Sequence, residues 1–203
     1  MEKKSIAIIG ATENTGIAII KKLAIRNYRL LLFSHDSEKL QLLEKEITKN
    51  TPAADIFYLS CMVDAGWEAD IIISALPYGF ENQVAEKIRD VATQKIVISI
   101  TNSFNNSLKS IESVVNNGAE ELQKLLPLSK VLKAFNNTMG IDFAPALAFG
   151  NEQATFLGNN DKEAVETLRK IISTIGFDPD FPGPYATKSA LLNSQPQTIT
   201  GID

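Results

Sequence analysis

A short apolar run, Ser5–Ile9, stops abruptly at Gly10, and after the turn Gly10-Ala-Thr-Glu-Asn-Thr-Gly16 apolar residues recur at helical spacing, at Ile17, Ile20, Leu23 and Ala24. Gly10 permits a tight turn out of the strand. Gly16 lets the helix that begins at Thr15 and runs to Arg26 pack close against the sheet. A buried strand passing through one glycine turn into an amphipathic helix is the opening unit of an α/β fold, and it constrains everything that follows.

The alternation continues down the chain. Arg29–Phe33 reads as a second strand, and Asp36–Lys49 as an amphipathic helix with Leu40, Leu43 and Ile47 on one face and Asp36 or Ser37 as its cap. Ile56–Leu59 fits a short third strand. Asp70–Ser74 and Lys95–Ile100 are apolar runs of the kind carried by parallel strands covered on both faces, and a helix from Phe80 to Val91 separates them. Right-handed crossovers turn this series into a doubly wound parallel sheet of Rossmann type, with Ile6–Ile9 central and its carboxyl end facing a ligand cleft.

Beyond residue 100 the pattern weakens. Asn102 to Asn117 is rich in Asn and Ser and reads as a mobile surface segment near the cleft, or as a plain loop. A helix over Ala119–Leu126, strands over Val131–Phe135 and Ala154–Leu157, and a helix over Lys162–Ile175 ending at Gly176 follow. The three-proline stretch Phe177–Pro184 reads as irregular, before a last helix at Ala186–Leu192. The organisation expected is a dinucleotide-binding domain over residues 1–135 and a small C-terminal extension, 136–203, packed on it in the same globular unit.

Composition narrows the function. The 203 residues are 44% apolar, enough for a sizeable core, and the net charge of −4 with scattered lysines argues against nucleic acid as a partner. Cys61 is the one cysteine, so no internal disulfide forms, and it reads as a small buried hydrophobe rather than a nucleophile. His35 is the one histidine, which removes zinc sites of the His/Cys kind and most general-base mechanisms. No metal site is expected. The start of the chain lacks the longer apolar region of a signal peptide, and no stretch approaches a membrane span. A cytoplasmic protein acting on a small molecule, without membrane attachment, is the expectation.

The chemistry-bearing residues cluster at carboxyl ends of strands. In the first turn, the helix start offers free N–H groups and the positive end of its dipole to a pyrophosphate. Glu13 stands where the usual pattern has a glycine, and a carboxylate beside a pyrophosphate repels it. Either Asn14 adopts the left-handed conformation and gives close approach while Glu13 points outward, or Glu13 complements the helix dipole. The second strand ends Phe33-Ser34-His35-Asp36-Ser37-Glu38-Lys39. Ser34 fills the position where an acid would hold the ribose of NAD, and His35 and Lys39 suit a phosphate, so NADP is favoured over NAD. Leu76-Pro77 and Thr101-Asn102 follow two further strands. The adjacent Ser34, His35 and Asp36 do not make a catalytic triad.

These residues sit in a recognisable context. Lys130-Val-Leu-Lys-Ala-Phe-Asn136-Asn137 resembles the Lys-Val-Val-Lys-Ala-Phe-Asn-Thr signature of deazaflavin (coenzyme F420)-dependent NADP oxidoreductases and their bacterial NAD(P)-binding relatives. The likeness extends through Gly118–Pro127, Phe156–Asp161, Gly176-Phe-Asp-Pro and Gly183-Pro184, and so covers nearly the whole chain. The resemblance implies NADP(H) bound in the Rossmann half and hydride passed to a flavin or deazaflavin as second substrate, with cofactors carrying the chemistry. It implies that Gly10, Thr12, Asn14, Thr15 and Gly16 hold the pyrophosphate and that Ser34, His35 and Lys39 face the 2′-phosphate. Leu76, Pro77 and Asn102 would line the nicotinamide side, with Asn136 and Asn137 near the second substrate. Three departures stand out: Glu13 for a glycine, His35 for an arginine, and an end soon after Ser189–Asn193, where relatives continue with an apolar helix that helps build a homodimer. Two readings follow: an NADP(H)-dependent oxidoreductase, or a non-catalytic Rossmann protein that senses NADP(H) or has lost its cofactor.

Overall fold

The computed structural model describes residues 3–77, 79–100, 117–134, 153–158 and 161–184. They form one eight-stranded sheet in the order β3-β2-β1-β4-β5-β6-β7-β8, with strands Lys4–Ile9 (β1), Tyr28–Phe33 (β2), Asp55–Tyr58 (β3), Ile71–Ser74 (β4), Ile96–Ser99 (β5), Lys130–Ala134 (β6), Gln153–Gly158 (β7) and Asp178–Pro184 (β8). The first six are parallel. β7 then runs antiparallel to β6, and β8 parallel to β7. The doubly wound Rossmann arrangement expected from the sequence is present, with β1 in the sheet interior between β2 and β4.

Helices cover both faces, and the two-residue alternation of each strand explains how. Ile6, Ile8, Leu30, Leu32, Ile71, Ile73, Ile98 and Leu132 point to one side, where helices Asn14–Ala24 (α1), Ser37–Asn50 (α2) and Lys162–Ile175 complete the core. Ala7, Ile9, Leu31, Ile72, Val97 and Val131 point to the other, against Met62–Glu68 (α3), Glu81–Ile88 (α4) and Asn117–Leu125 (α5). The helix Lys162–Ile175 is α6. Asp36 caps α2 by accepting from Lys39 N–H at 3.0 Å, and Asp161 caps α6 by accepting from Ala164 N–H at 2.8 Å. Lys130 ties β6 to the start of α6 through Asp161 and Glu163, at 3.1 and 3.2 Å.

Two elements depart from the sequence reading. Phe177–Pro184 is not irregular: Asp178–Pro184 is the edge strand β8, whose prolines are tolerated because an edge leaves one row of N–H groups unpaired. The short helix α3 was not expected. Cys61 stands at its start, only partly buried rather than in the core. Residues 101–116 and the expected helix Ala186–Leu192 lie outside the described residues. Among the described residues, no helix is long and apolar enough to cross a membrane, and no group of His, Cys, Asp and Glu is placed to hold a metal ion.

Candidate functional site

The parallel strands deliver their carboxyl ends to one rim, and the turns leaving β1, β2 and β4 meet there. Gly10, with φ of +85°, turns the chain out of β1; its N–H and that of Ala11 both donate to Phe33 O, at 3.1 and 3.0 Å. These bonds hold the first turn against the end of β2. On the other side a Cβ at Gly10 would lie 3.1 Å from the backbone of Ala75 and from both Leu76 N and Leu76 Cδ2. A Cβ at Gly16 would collide with the Gly10 carbonyl oxygen and stand 3.3 Å from Ala11 Cα. The two glycines are thus required by backbone contacts, which explains their spacing.

Glu13 N–H donates to Gly10 O at 3.0 Å, and Ile17 N–H to Glu13 O at 2.8 Å, so Glu13 is the last residue before α1 and its side chain makes no capping bond. The N–H groups of the first helical turn, from Asn14 to Gly16, lack intrahelical acceptors by the geometry of any helix start. With the aligned dipole they make an anion-binding end. Asn14 is the first helical residue, and Gln94 alone among described non-glycine residues has positive φ, so Asn14 does not adopt the left-handed conformation.

A cleft of about 360 Å³ opens at this rim, lined by Gly10, Thr12, Glu13, Asn14, Phe33, Ser34, His35, Asp36, Lys39 and Leu76. The fold therefore gathers eight of the residues singled out from sequence. Thr15, Gly16 and Pro77 do not line it: Gly16 is buried at the contact with Gly10, and Pro77 is exposed beyond Leu76. Asn102, Asn136 and Asn137 lie outside the described residues. Glu13 is among the residues that line the cleft.

Two members were missed. Phe33 ends β2 and stacks edge-on with His35, ring centroids 5.2 Å apart. Asp36 is the more consequential. Its carboxylate accepts from Lys39 N–H and also pairs with the Lys39 ammonium at 3.3 Å. The bond from the Lys39 backbone, helped by the Lys39 charge, holds the Asp36 carboxyl below its ordinary value. An acid three residues before a lysine at a helix start is the signal that would have revealed the pair. Beside it, Thr12 Oγ1 and Ser34 Oγ share a hydrogen bond of 2.6 Å, and Asp36 N–H donates to Ser34 Oγ at 3.2 Å. The hydroxyls join the first turn to the second before any ligand arrives.

The comparisons agree with this architecture. Residues 5–103 match the family model described as NADP oxidoreductase coenzyme F420-dependent. The chain is similar to an F420-dependent NADP reductase of Methanocaldococcus jannaschii, 31% identical over 141 residues, 65% of this chain and 62% of that protein. It thus spans less than two thirds of that relative's length. Among solved structures it resembles a putative F420-dependent NADP reductase from Arthrobacter sp. FB24, with a TM-score of 0.71 at 19% identity, covering 93% of this chain and 89% of that one. An imine reductase from Myxococcus stipitatus in complex with NADP+ gives a TM-score of 0.65 at 16% identity, over 94% of this chain and 58% of the other. These likenesses show the shared fold.

Proposed function

We propose that this chain, whose residues 5–103 match the family model described as NADP oxidoreductase coenzyme F420-dependent, is an NADP(H)-dependent oxidoreductase whose second substrate is a flavin, a deazaflavin or a small acceptor. The observation that carries the reading is the rim itself: a helix start with open N–H groups, reached through two glycines that leave no room for side chains, beside a hydroxyl pair and a lysine where a 2′-phosphate would lie. These residues fit a dinucleotide. Asn14, Thr15 and Gly16 would hold its pyrophosphate through backbone N–H groups, Thr12 and Ser34 would offer hydroxyls, and His35 and Lys39 would face the phosphate on the ribose. When bound, NADPH supplies the hydride. The chain supplies proximity and orientation, with Leu76, Pro77 and Asn102 toward the nicotinamide and Asn136 and Asn137 toward the acceptor. Residues 1–135 form the dinucleotide domain in this reading, and the remainder helps build the acceptor side and a homodimer.

The test is paired titration with NADPH and NADH. NADPH is expected to bind more tightly, and Lys39→Ala to weaken NADPH about three- to tenfold while leaving NADH unchanged. The loss stays modest because the ammonium is exposed and already shared with Asp36. Equal losses for both dinucleotides would remove Lys39 from the phosphate.

Glu13 favours the second reading, a binding protein of weak or lost affinity, since it brings an acidic residue to the lining of the cleft. Two unit charges about 4 Å apart interact by about 4 kcal/mol at an effective dielectric near 20 and by about 1 kcal/mol in water. A partly exposed turn lies toward the lower figure. Glu13→Gln is therefore expected to tighten NADPH about fivefold, Glu13→Gly about tenfold, and the gain should shrink in high salt. NADPH absorbance decay with a flavin acceptor separates the enzyme from the sensor, which binds without turnover.

A further inference from the structure

The ionisable residues that line the cleft do not add up to a cationic pocket. They are Glu13, His35, Asp36 and Lys39, so two acids stand with one lysine and one histidine. Asp36 is the member fixed in place. Its N–H donates to Ser34 Oγ at 3.2 Å, and Ser34 Oγ in turn shares the 2.6 Å bond with Thr12 Oγ1. Its Oδ1 accepts from Lys39 N–H at 3.0 Å, while Oδ2 lies 3.3 Å from Lys39 Nζ. The first of these contacts is the cap of α2, made to backbone. Only the second can be given up, by a lysine side chain that is itself exposed. Asp36 thus engages both groups at the start of α2 that suit a phosphate, a backbone N–H of the first turn and the ammonium. The bond from Lys39 N–H, helped by the ammonium, keeps the Asp36 carboxyl below its ordinary value, so the acid is charged throughout the neutral range.

We infer that Asp36 is a specificity-determining residue that holds the preference for NADPH over NADH low, by keeping Lys39 engaged where a 2′-phosphate would need it. This rests on the dinucleotide reading above and adds to it a residue that works against the phosphate. With NADH in the cleft, nothing draws Lys39 away and the pair stays closed. With NADPH, the ammonium must turn from Asp36 to the phosphate. The phosphate then stands beside a carboxylate that the cap prevents from withdrawing, which cancels part of what the extra charge gains. Because the pair is exposed, the cancellation is a matter of a few fold. Capping alone does not account for an acid here, since Asn or Ser caps a helix start as well without bringing charge into the cleft. Asp36 is a positioning residue in this sense: it acts on the phosphate chiefly through Lys39.

The test titrates NADPH, NADH and 2′,5′-ADP against the full chain and its Asp36→Asn and Asp36→Ser variants. Both variants keep a capping oxygen for Lys39 N–H and remove the charge, and thermal melts check that the cap is retained. The expected result is that wild type prefers NADPH by about tenfold or less, and that both variants bind NADPH and 2′,5′-ADP about fivefold more tightly with NADH within twofold of wild type. The gain should shrink in high salt. NADPH and NADH tightened alike would make the acid a general charge in the cleft, and that overturns the inference. Unchanged NADPH affinity in folded variants overturns it too, while leaving the dinucleotide reading intact. Weaker binding of all three ligands with a lowered melting temperature would show that Asp36 serves α2 alone, and overturns it as well. Wild type and variants that bind none of the three end the dinucleotide reading and the inference together.

Discussion

Replacing Gly16 with Ala is expected to destabilise the fold by about 3 kcal/mol and to remove dinucleotide binding with it. The new methyl group would fall on the Gly10 carbonyl oxygen, a backbone atom that cannot swing aside. Gly10 is itself pinned by the bonds from Gly10 N–H and Ala11 N–H to Phe33 O. The strain must therefore be relieved by moving α1 away from β1, which opens the core around Ile19, Ile20 and Leu23. Alanine's better helix propensity returns only about 1 kcal/mol. For a chain of this size the melting temperature should fall by about 6–12 °C. Calorimetry on the variant decides it: a melting temperature at or above wild type would mean that α1 does not depend on this close approach.

The second large effect has the opposite sign. The double variant Lys133→Met/Glu81→Gln is expected to be more stable than wild type at pH 7, by about 1–3 kcal/mol, because it removes two buried ionisable side chains, each of them less than a tenth exposed. The folded-state value for Lys133, about 8, lies below its ordinary 10.5. Between those values the unfolded chain binds the proton that the folded chain has released, so this group makes stability rise with pH across that window. Below pH 8 the penalty is fully present. The variant's advantage should thus be greatest at neutral pH and shrink as pH approaches 10.5. Urea unfolding at pH 7 and pH 10 measures it through the midpoint at constant slope. A double variant less stable than wild type at pH 7 would show that these two buried groups stabilise the fold rather than costing it stability.

The strand and helix periodicities of the first hundred residues carried most of the fold because each element is long enough to show its period. α1 and α2 have buried residues at three- and four-residue steps, and β1, β4 and β5 each carry an unbroken apolar run, at Ile6–Ile9, Ile71–Ile73 and Ile96–Ile98. α3 escaped because it is seven residues long, with Gly66 among its three buried positions. β8 escaped because three prolines mark irregular chain everywhere except on an edge. At the site, the glycines and the residues after β2 were legible, since their spacing from the strand ends fixes where they lie. Of the two alternatives for the first turn, the left-handed Asn14 fails because α1 starts at Asn14, one residue earlier than the apolar spacing shows. Lys133 appeared only inside a family signature. Nothing local distinguishes it from an exposed strand lysine; its burial comes from its place inside the sheet, with β6 flanked by β5 and β7.

The contact between Asp36 and Lys39 bears on selectivity among anions in solution. A free phosphate approaching Lys39 must displace a carboxylate already fixed by the helix cap, and gains one exposed ammonium for doing so. A phosphate carried by a dinucleotide is delivered differently. With a pyrophosphate seated at the start of α1, as proposed, the second phosphate would compete with Asp36 at a tethered, effective concentration far above that of any dissolved anion. In the proposed reading the internal acid would act as a threshold that a linked phosphate crosses more readily than a free one, so that inorganic phosphate would compete poorly without being repelled.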